Sequence, residues 1–269
     1  MLIERIPALI AQNKTVALVT VTSASGSTPA EVGKEMLVDA TGNIGGTVGG
    51  GNLEYVSVKK AQECIERNVS SSAHFDLKKD LSMECGGEAD IFIKVYSPAI
   101  QLVLVGAGHV GQALYQFAEA LGYDVVVIDD REAVATQEHY PNAKEIHVGD
   151  IGEECEKLTI SSSTTCVVIA THGHKCDELA LYHMIQKDPK YIGVIGSRNK
   201  VTVMMSNLKS KGIPQEKLDA VYAPIGIALG GGQPAEIAVS IISEILLVKN
   251  GGHLSHMKSQ SNLKFSGRE

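Results

Sequence analysis

The sequence predicts an α/β protein, with a Rossmann-type parallel sheet in its carboxyl-terminal part and a smaller amino-terminal α+β domain. Three observations predict it. Residues 101–130 read as strand, glycine turn, helix, strand and acid. Beyond them strand and helix patterns alternate to residue 249, an alternation that calls for parallel strands joined by right-handed crossovers. Ahead of them, residues 1–98 offer several strands around one long helical pattern. The expected layout is residues 1–98, residues 99–251 and a polar tail at 252–269, with Ser97-Pro98 as the boundary.

In chain order, residues 1–13 pattern as a short helix with Leu2, Ile6, Leu9 and Ile10 on one side. Residues 15–22 are a β-branched strand, followed by a loop of small and turn-forming residues at 23–29. A second strand covers residues 34–39. Residues 41–51 then spend six glycines in eleven positions, directly before a helical pattern at 52–67 with Leu53, Val56, Ala61, Cys64 and Ile65 inward. Glycines running into a helix start, ending at Gly49, Gly50 and Gly51, form a candidate anion cradle. A hairpin whose turns need positive φ explains them equally well. Strands are expected at 74–77 and 89–96, the second alternating Ile91, Ile93 and Val95 against Phe92 and Lys94. Between them Cys85 stands beside Gly86 and Gly87 in a loop, open to solvent or ligand. Cys166, inside an apolar run, reads as core.

Residues 102–105 enter Gly106-Ala107-Gly108-His109-Val110-Gly111, which opens a helix ending at Leu121-Gly122, and a second apolar run at 125–128 ends on Asp129 and Asp130. This is the dinucleotide-binding fingerprint in context. Gly106 turns where a Cβ would clash, Gly108 admits a pyrophosphate, and Gly111 lets helix and strand pack closely. The helix amino terminus offers unpaired N–H groups and partial positive charge. An acid roughly 20 residues on would bind a ribose 2′-hydroxyl, and Asp129 or Asp130 fits. Strands follow at 144–148, 165–170, 191–195 and 220–222. Helices are expected at 153–158, 177–186, 201–211 and 235–249, the last with Ile237, Ile241, Ile245 and Leu246 inward.

Such a sheet gathers its polar loops at the carboxyl edge, where ligands of open α/β sheets bind. The residues gathered are His109, Asp130, Arg131, Thr171, His172, His174, Ser197, Arg198 and Lys200. Arg131, Arg198 and Lys200 beside hydroxyls and a helix start point to anion recognition, with the guanidinium suited to bidentate phosphate binding. Metal binding by His109, His172 and His174 lacks a paired acid or cysteine motif. His109 and His172 are the candidates for acid or base work. Neither a serine elbow nor a Walker motif occurs.

Over 269 residues, 44% hydrophobic and 20% charged content is that of a globular protein. A formal charge of −7 without a Lys/Arg run argues against nucleic acid or an anionic membrane as partner. No apolar run reaches the about 18 residues of a spanning helix, and MLIERIPALIAQNKT lacks the pattern of a signal peptide. Five scattered cysteines without a CxxC pair are the usage of a reducing cytoplasm.

Taken together, Gly-Ser-Thr-Pro at Gly26 to Pro29, Gly-Gly-Thr-Val-Gly-Gly-Gly at Gly45 to Gly51 with Leu53-Glu54, Cys85-Gly86-Gly87, the glycine fingerprint with Asp129-Asp130-Arg131, Thr171-His172, Ile195-Gly196-Ser197-Arg198 with Lys200, and Pro224-Ile225-Gly226 followed by Pro234-Ala235-Glu236 resemble the XdhC/CoxI family. The likeness runs in order along nearly the whole chain. It implies an accessory protein of xanthine dehydrogenase and related molybdenum hydroxylases, in purine catabolism. Such a protein binds molybdenum cofactor, protects it during sulfuration and delivers it to an apo-hydroxylase. It also implies a cytoplasmic homodimer with a cysteine desulfurase as further partner. The chain departs from the family at Ala30, where Arg is usual, and at Gly173 and Ala228, where an acid is usual. On this reading the fingerprint loop with Arg198 and Lys200 holds the phosphate end and Cys85 faces the molybdenum, the two glycine-lined pockets closing over one anionic guest. The competing reading is an NAD(H)-dependent oxidoreductase, for which Asp129 or Asp130 is the argument.

Overall fold

The computed structural model describes residues 1–79 and 87–260, and the chain divides into two units, Met1–Pro98 and Ala99–Glu269. The first unit opens with a 3₁₀ turn, Leu2–Arg5, and helix α1, Ile6–Ala11. Strands β1 (Val16–Gly26), β2 (Glu35–Asp39) and β3 (Gly42–Gly46) lead to helix α2 (Gly51–Arg67), then β4 (Ser71–Asp76) and β5 (Gly87–Tyr96). The five strands form one antiparallel sheet in the order β3-β2-β1-β5-β4.

Period-two patterning gives β1 two apolar faces. Ala17, Val19 and Val21 join Leu53, Ala61 and Cys64 of α2 in one core cluster, while Val16 and Leu18 join Ile6 of α1 and Leu37 in another. The segment at 23–26, read as loop, is instead strand. After an irregularity between Val21 and Ser23 it pairs with residues 87–90 of β5. The pairing is close enough that residue 87 must be glycine, since a Cβ there would lie 2.6 Å from the Ser25 backbone O. The glycine run divides its labour. Gly42 and Gly46 shape the β2–β3 hairpin, whereas Gly49, Gly50 and Gly51 remain for the start of α2, all with positive φ.

The second unit alternates as expected: β6 (Gln101–Val105), α3 (His109–Ala120), β7 (Asp124–Asp129), β8 (Glu145–Val148), α4 (Ile151–Lys157), β9 (Thr165–Ile169), α5 (His174–Ile185), β10 (Tyr191–Val194), α6 (Arg198–Ser210), α7 (Gln215–Asp219), α8 (Pro234–Asn250) and α9 (Met257–Gln260). All neighbours in the order β10-β9-β6-β7-β8 are parallel. Leu102 and Leu104 face the cluster holding α3 and α8, whereas Val103 and Val105 face that of α4, α5 and α6. The chain order reverses between β6 and β9, and a doubly wound sheet opens its crevice at that point.

Three expectations shift. The strand at 220–222 is one bridge, Gly193 to Tyr222, and the short α7 precedes it. In α8 the buried residues are Ala238, Ile241, Ile242 and Ile245, with Leu246 half-buried. Residues 251–258 are exposed, as a polar tail should be, but α9 interrupts the irregular stretch. Cys64, Cys155 and Cys166 are buried, and burial pushes the Cys155 thiol up to about 12. Among the described residues no helix is long and apolar enough to cross a membrane.

Candidate functional site

The carboxyl ends of β6, β7, β9 and β10 deliver the four expected loops to one edge of the second unit. Each fingerprint glycine can be tested for an internal reason. Gly106 has φ +119°, and a Cβ there would lie 2.2 Å from Ala170 O at the end of β9. On Gly111 a Cβ would lie 2.3 Å from Gly106 O. Gly108 differs. Its φ of −76° suits any residue, and the nearest atom to an added Cβ is Arg131 Nη2, at 3.9 Å. Packing therefore requires two of the three glycines, and the third keeps space clear in front of α3. Gly108 caps α3 without a side-chain bond, and no acid lies in the first turn, so the helix start is open to an anion. His109 is exposed and Val110 half-buried at that start.

Asp129 is 1% exposed and fully engaged. It accepts hydrogen bonds from Ala107 N at 2.7 Å and from Arg131 N, Nε and Nη2, each at 2.9 Å. Burial pushes its pKa up, but the bonds from Arg131 and Ala107 outweigh that and hold the carboxyl below its usual range. This corrects the role expected of Asp129, because its oxygens are bound from within. Asp130 is the acid left at the surface, 3.6 Å from His172 Nδ1. Ligand atoms of Asp129, Asp130 and His172 come within 4.8 Å of one another, a grouping that shares only His172 with the histidine trio weighed from the sequence. A cation there would meet the Arg131 guanidinium already seated on Asp129. His109 is not in that group, and the His174 side chain lies outside the described residues.

The other predicted cation also changes role. Lys200 Nζ is bonded to Asp177 Oδ2 and, at 3.3 Å, to Ile195 O. Asp177, 1% exposed, accepts from Thr171 N at 2.9 Å and Thr171 Oγ1 at 2.6 Å as well. Lys200 and Thr171, expected to contact ligand, are thus tied to a buried acid that the motif reading passed over. Ser197 caps α6, its Oγ accepting from Lys200 N at 3.3 Å. Arg198 is exposed and, among the described residues, makes no ion pair. Gly173, where the family carries an acid, caps α5 with no atom within 4 Å of an added Cβ.

One contributor had no motif to announce it. Tyr140 is wholly buried, its hydroxyl has no partner among the described residues, and its Oη lies 3.2 Å from where a Cβ on Gly111 would sit. Burial, then the Asp129 charge, raises its pKa far above the ordinary range. A separate cleft of about 840 Å³ between α5 and α6, lined by Leu179, Val203 and Met204, adjoins Lys200 but not the glycine loop.

In the first unit, Gly49 has φ +136° and a Cβ would lie 3.0 Å from Pro29 and Ala30 backbone. Gly50 caps α2 without a side-chain bond. The Glu54 carboxylate, however, accepts from Thr47 Oγ1 at 2.5 Å and Asn43 Nδ2 at 3.3 Å, placing negative charge beside that helix start. The hairpin explanation covers Gly42 and Gly46, close packing covers Gly49, and an anion at Gly50 and Gly51 would face Glu54. Ala30 belongs to the buried core, where an arginine would have to bury its charge. Cys85 lies outside the described residues.

Residues 102–245 match the XdhC Rossmann domain, and residues 9–76 match the XdhC and CoxI family. Over 244 residues, 89% of its length, the chain is 34% identical to 44% of the uncharacterized protein YqeB of Escherichia coli K12. It is 29% identical over 184 residues to a probable xanthine dehydrogenase subunit of Bacillus subtilis 168, covering 68% of this chain and 50% of that protein. It is 22% identical over 154 residues to the molybdenum cofactor insertion chaperone PaoD of Escherichia coli K12, covering 57% and 42%. The chain spans about half the length of the curated relatives it matches.

Proposed function

The chain belongs to the XdhC and CoxI family, and on that premise we propose that it is an accessory protein that binds molybdenum cofactor and passes it to an apo xanthine dehydrogenase or a related molybdenum hydroxylase. The observation that carries the proposal is Gly108. Among the described residues no packing requires a glycine there, so the space before α3 is kept for something other than them, and the helix start favours an anion. The cofactor is cargo with a phosphate arm, and the residues at this edge fit that arm. First-turn N–H groups of α3 receive the phosphate, and Arg131 and Arg198 add charge. Tyr140, whose hydroxyl lacks a partner beneath the loop, holds a donor in reserve. Similarity to an insertion chaperone and to a dehydrogenase subunit supports the same reading.

Within it, the protein shelters the cofactor during sulfuration, a cysteine desulfurase supplies the sulfur, and Cys85 is the thiol assigned to the molybdenum, a metal that soft sulfur ligands suit. We assign it to the cytoplasm as a homodimer, the scattered cysteines fitting a reducing compartment.

The NAD(H) alternative now draws on Asp130 alone, since Asp129 is committed. Purified protein incubated separately with cofactor released from a donor hydroxylase and with NADH separates the two. Retention of molybdenum and pterin through gel filtration, followed by activation of an apo-hydroxylase, is the expected result. Tight NADH binding with hydride loss to an acceptor, and no retained pterin, would replace this reading with the alternative.

A further inference from the structure

The acid that a dinucleotide-binding fold turns towards a ribose diol is here turned inward. Asp129, at the end of β7, presents no free acceptor to the crevice, because Ala107 N and three groups of Arg131 donate to its oxygens. Its partner gains in reach what it loses. The two bonds to Asp129 hold Nε and Nη2 of the guanidinium in a fork, and Nη2 sits 3.9 Å from where a Cβ on Gly108 would lie. The Arg131 side chain remains 38% exposed, and Nη2, the guanidinium atom beside the space that Gly108 keeps clear, keeps one N–H not used by Asp129. A fixed cation therefore stands beside the glycine loop, and although the Asp130 carboxylate lies 4.0 Å from its Nε, a diol can offer the guanidinium itself only weak acceptors. A phosphate monoester offers charged oxygens at the spacing of two guanidinium N–H groups, and the edge formed by Nη1 and Nη2 is not the one that Asp129 occupies.

We propose that the Asp129–Arg131 pair sets the specificity of this crevice, selecting ligands that carry a phosphate monoester beside the glycine loop and rejecting those that present a free ribose diol there. The inference rests on the reading of this crevice as the phosphate-binding site and adds the ligand class. Two carriers share that chemistry, a 2′-phosphorylated nucleotide and a pterin with a phosphorylated side chain, so the test has an arm for each.

Calorimetric titration of the full chain compares 2′,5′-ADP with 5′-AMP, which keeps the free ribose diol, and a pterin side-chain phosphate with the same pterin bearing a free hydroxyl. A preference of about ten-fold or more for the phosphorylated member of a pair is expected, the value of one charge-assisted hydrogen bond. Whichever pair shows it identifies the carrier. Arg131→Gln, which can still donate to Asp129, should erase the preference, and Arg131→Lys should leave part of it. Equal affinity within both pairs, or a preference that survives Arg131→Gln in folded protein, overturns the proposal. Gly108→Val separates the levels of the argument. If it abolishes binding while Arg131→Gln leaves the ratio intact, selectivity alone fails. Undiminished binding by Gly108→Val removes the site itself.

Discussion

Alanine at each of the three fingerprint glycines should separate folding from binding. At Gly106 the substitution forces a side chain onto φ +119° and a Cβ to 2.2 Å from Ala170 O. Left-handed strain costs about 1–3 kcal/mol and the forced backbone shift about as much again. With about 2–4 °C lost per kcal/mol in a domain of this size, Tm should fall by about 5–20 °C. At Gly111 the overlap is with Gly106 O, at 2.3 Å, but helical alanine recovers about 1 kcal/mol, so the net loss is smaller. At Gly108 two small effects oppose each other. Alanine restricts the unfolded chain, a gain of about 0.4–1 kcal/mol, and caps a helix worse than glycine by a similar amount. Gly108→Ala should therefore melt within about 1 kcal/mol of wild type while binding phosphate-bearing ligand about ten-fold or more weakly. Thermal unfolding by circular dichroism, with ligand titration in parallel, reads both quantities. A Gly108→Ala protein that melts as low as Gly106→Ala, or that binds like wild type, would refute the argument that Gly108 is kept for a ligand.

Other consequences follow from the same geometry. Asp129→Asn leaves Arg131 facing an amide and should cost about 3 kcal/mol at pH 7, the lower end of the range for a broken buried pair because Arg131 reaches solvent. The folded Asp129 carboxyl lies below its unfolded value, so its stabilisation is complete above about pH 4 and is lost as pH falls through the folded pKa. Denaturation of wild type and variant should thus converge in acid, and a gap constant with pH would contradict the assignment. Asp177→Asn should loosen the loop carrying Thr171 and His172, seen as faster amide exchange at 171–173 with β6 unaffected. Arg198→Ala should leave Tm unchanged, since the guanidinium has no partner within the described residues, and weaken anion binding with a shallower salt dependence. Cys85→Ser should spare binding of a metal-free pterin phosphate but lower retention of molybdenum; equal retention would remove Cys85 from the site.

Much of the fold was legible because its signals are local. Apolar runs bounded by turn residues marked β6, β7, β9 and β10, and the glycine spacing marked the β6–α3 turn. Where reading failed, the partner was distant in sequence. Residues 23–26 are strand because residues 87–90 pair with them, and small polar residues reveal nothing of that on their own. The candidate site divides the same way. Arg131, Arg198 and Lys200 were all visible as cations, but whether each is available depends on acids elsewhere. Asp177 takes Lys200, Asp129 takes one edge of Arg131, and Arg198 is left over. Tyr140 lay in a stretch with no motif, and only its unpartnered hydroxyl beneath Gly111 brings it forward.

Composition and periodicity by themselves determined the two-part layout, the parallel sheet and the edge at which its polar loops collect, because burial of apolar side chains repeats with the period of each element. Tertiary structure alone decided which charges at that edge stay free. An ion pair depends on distances of a few ångströms between residues far apart in the chain, and no spacing rule along the sequence encodes them.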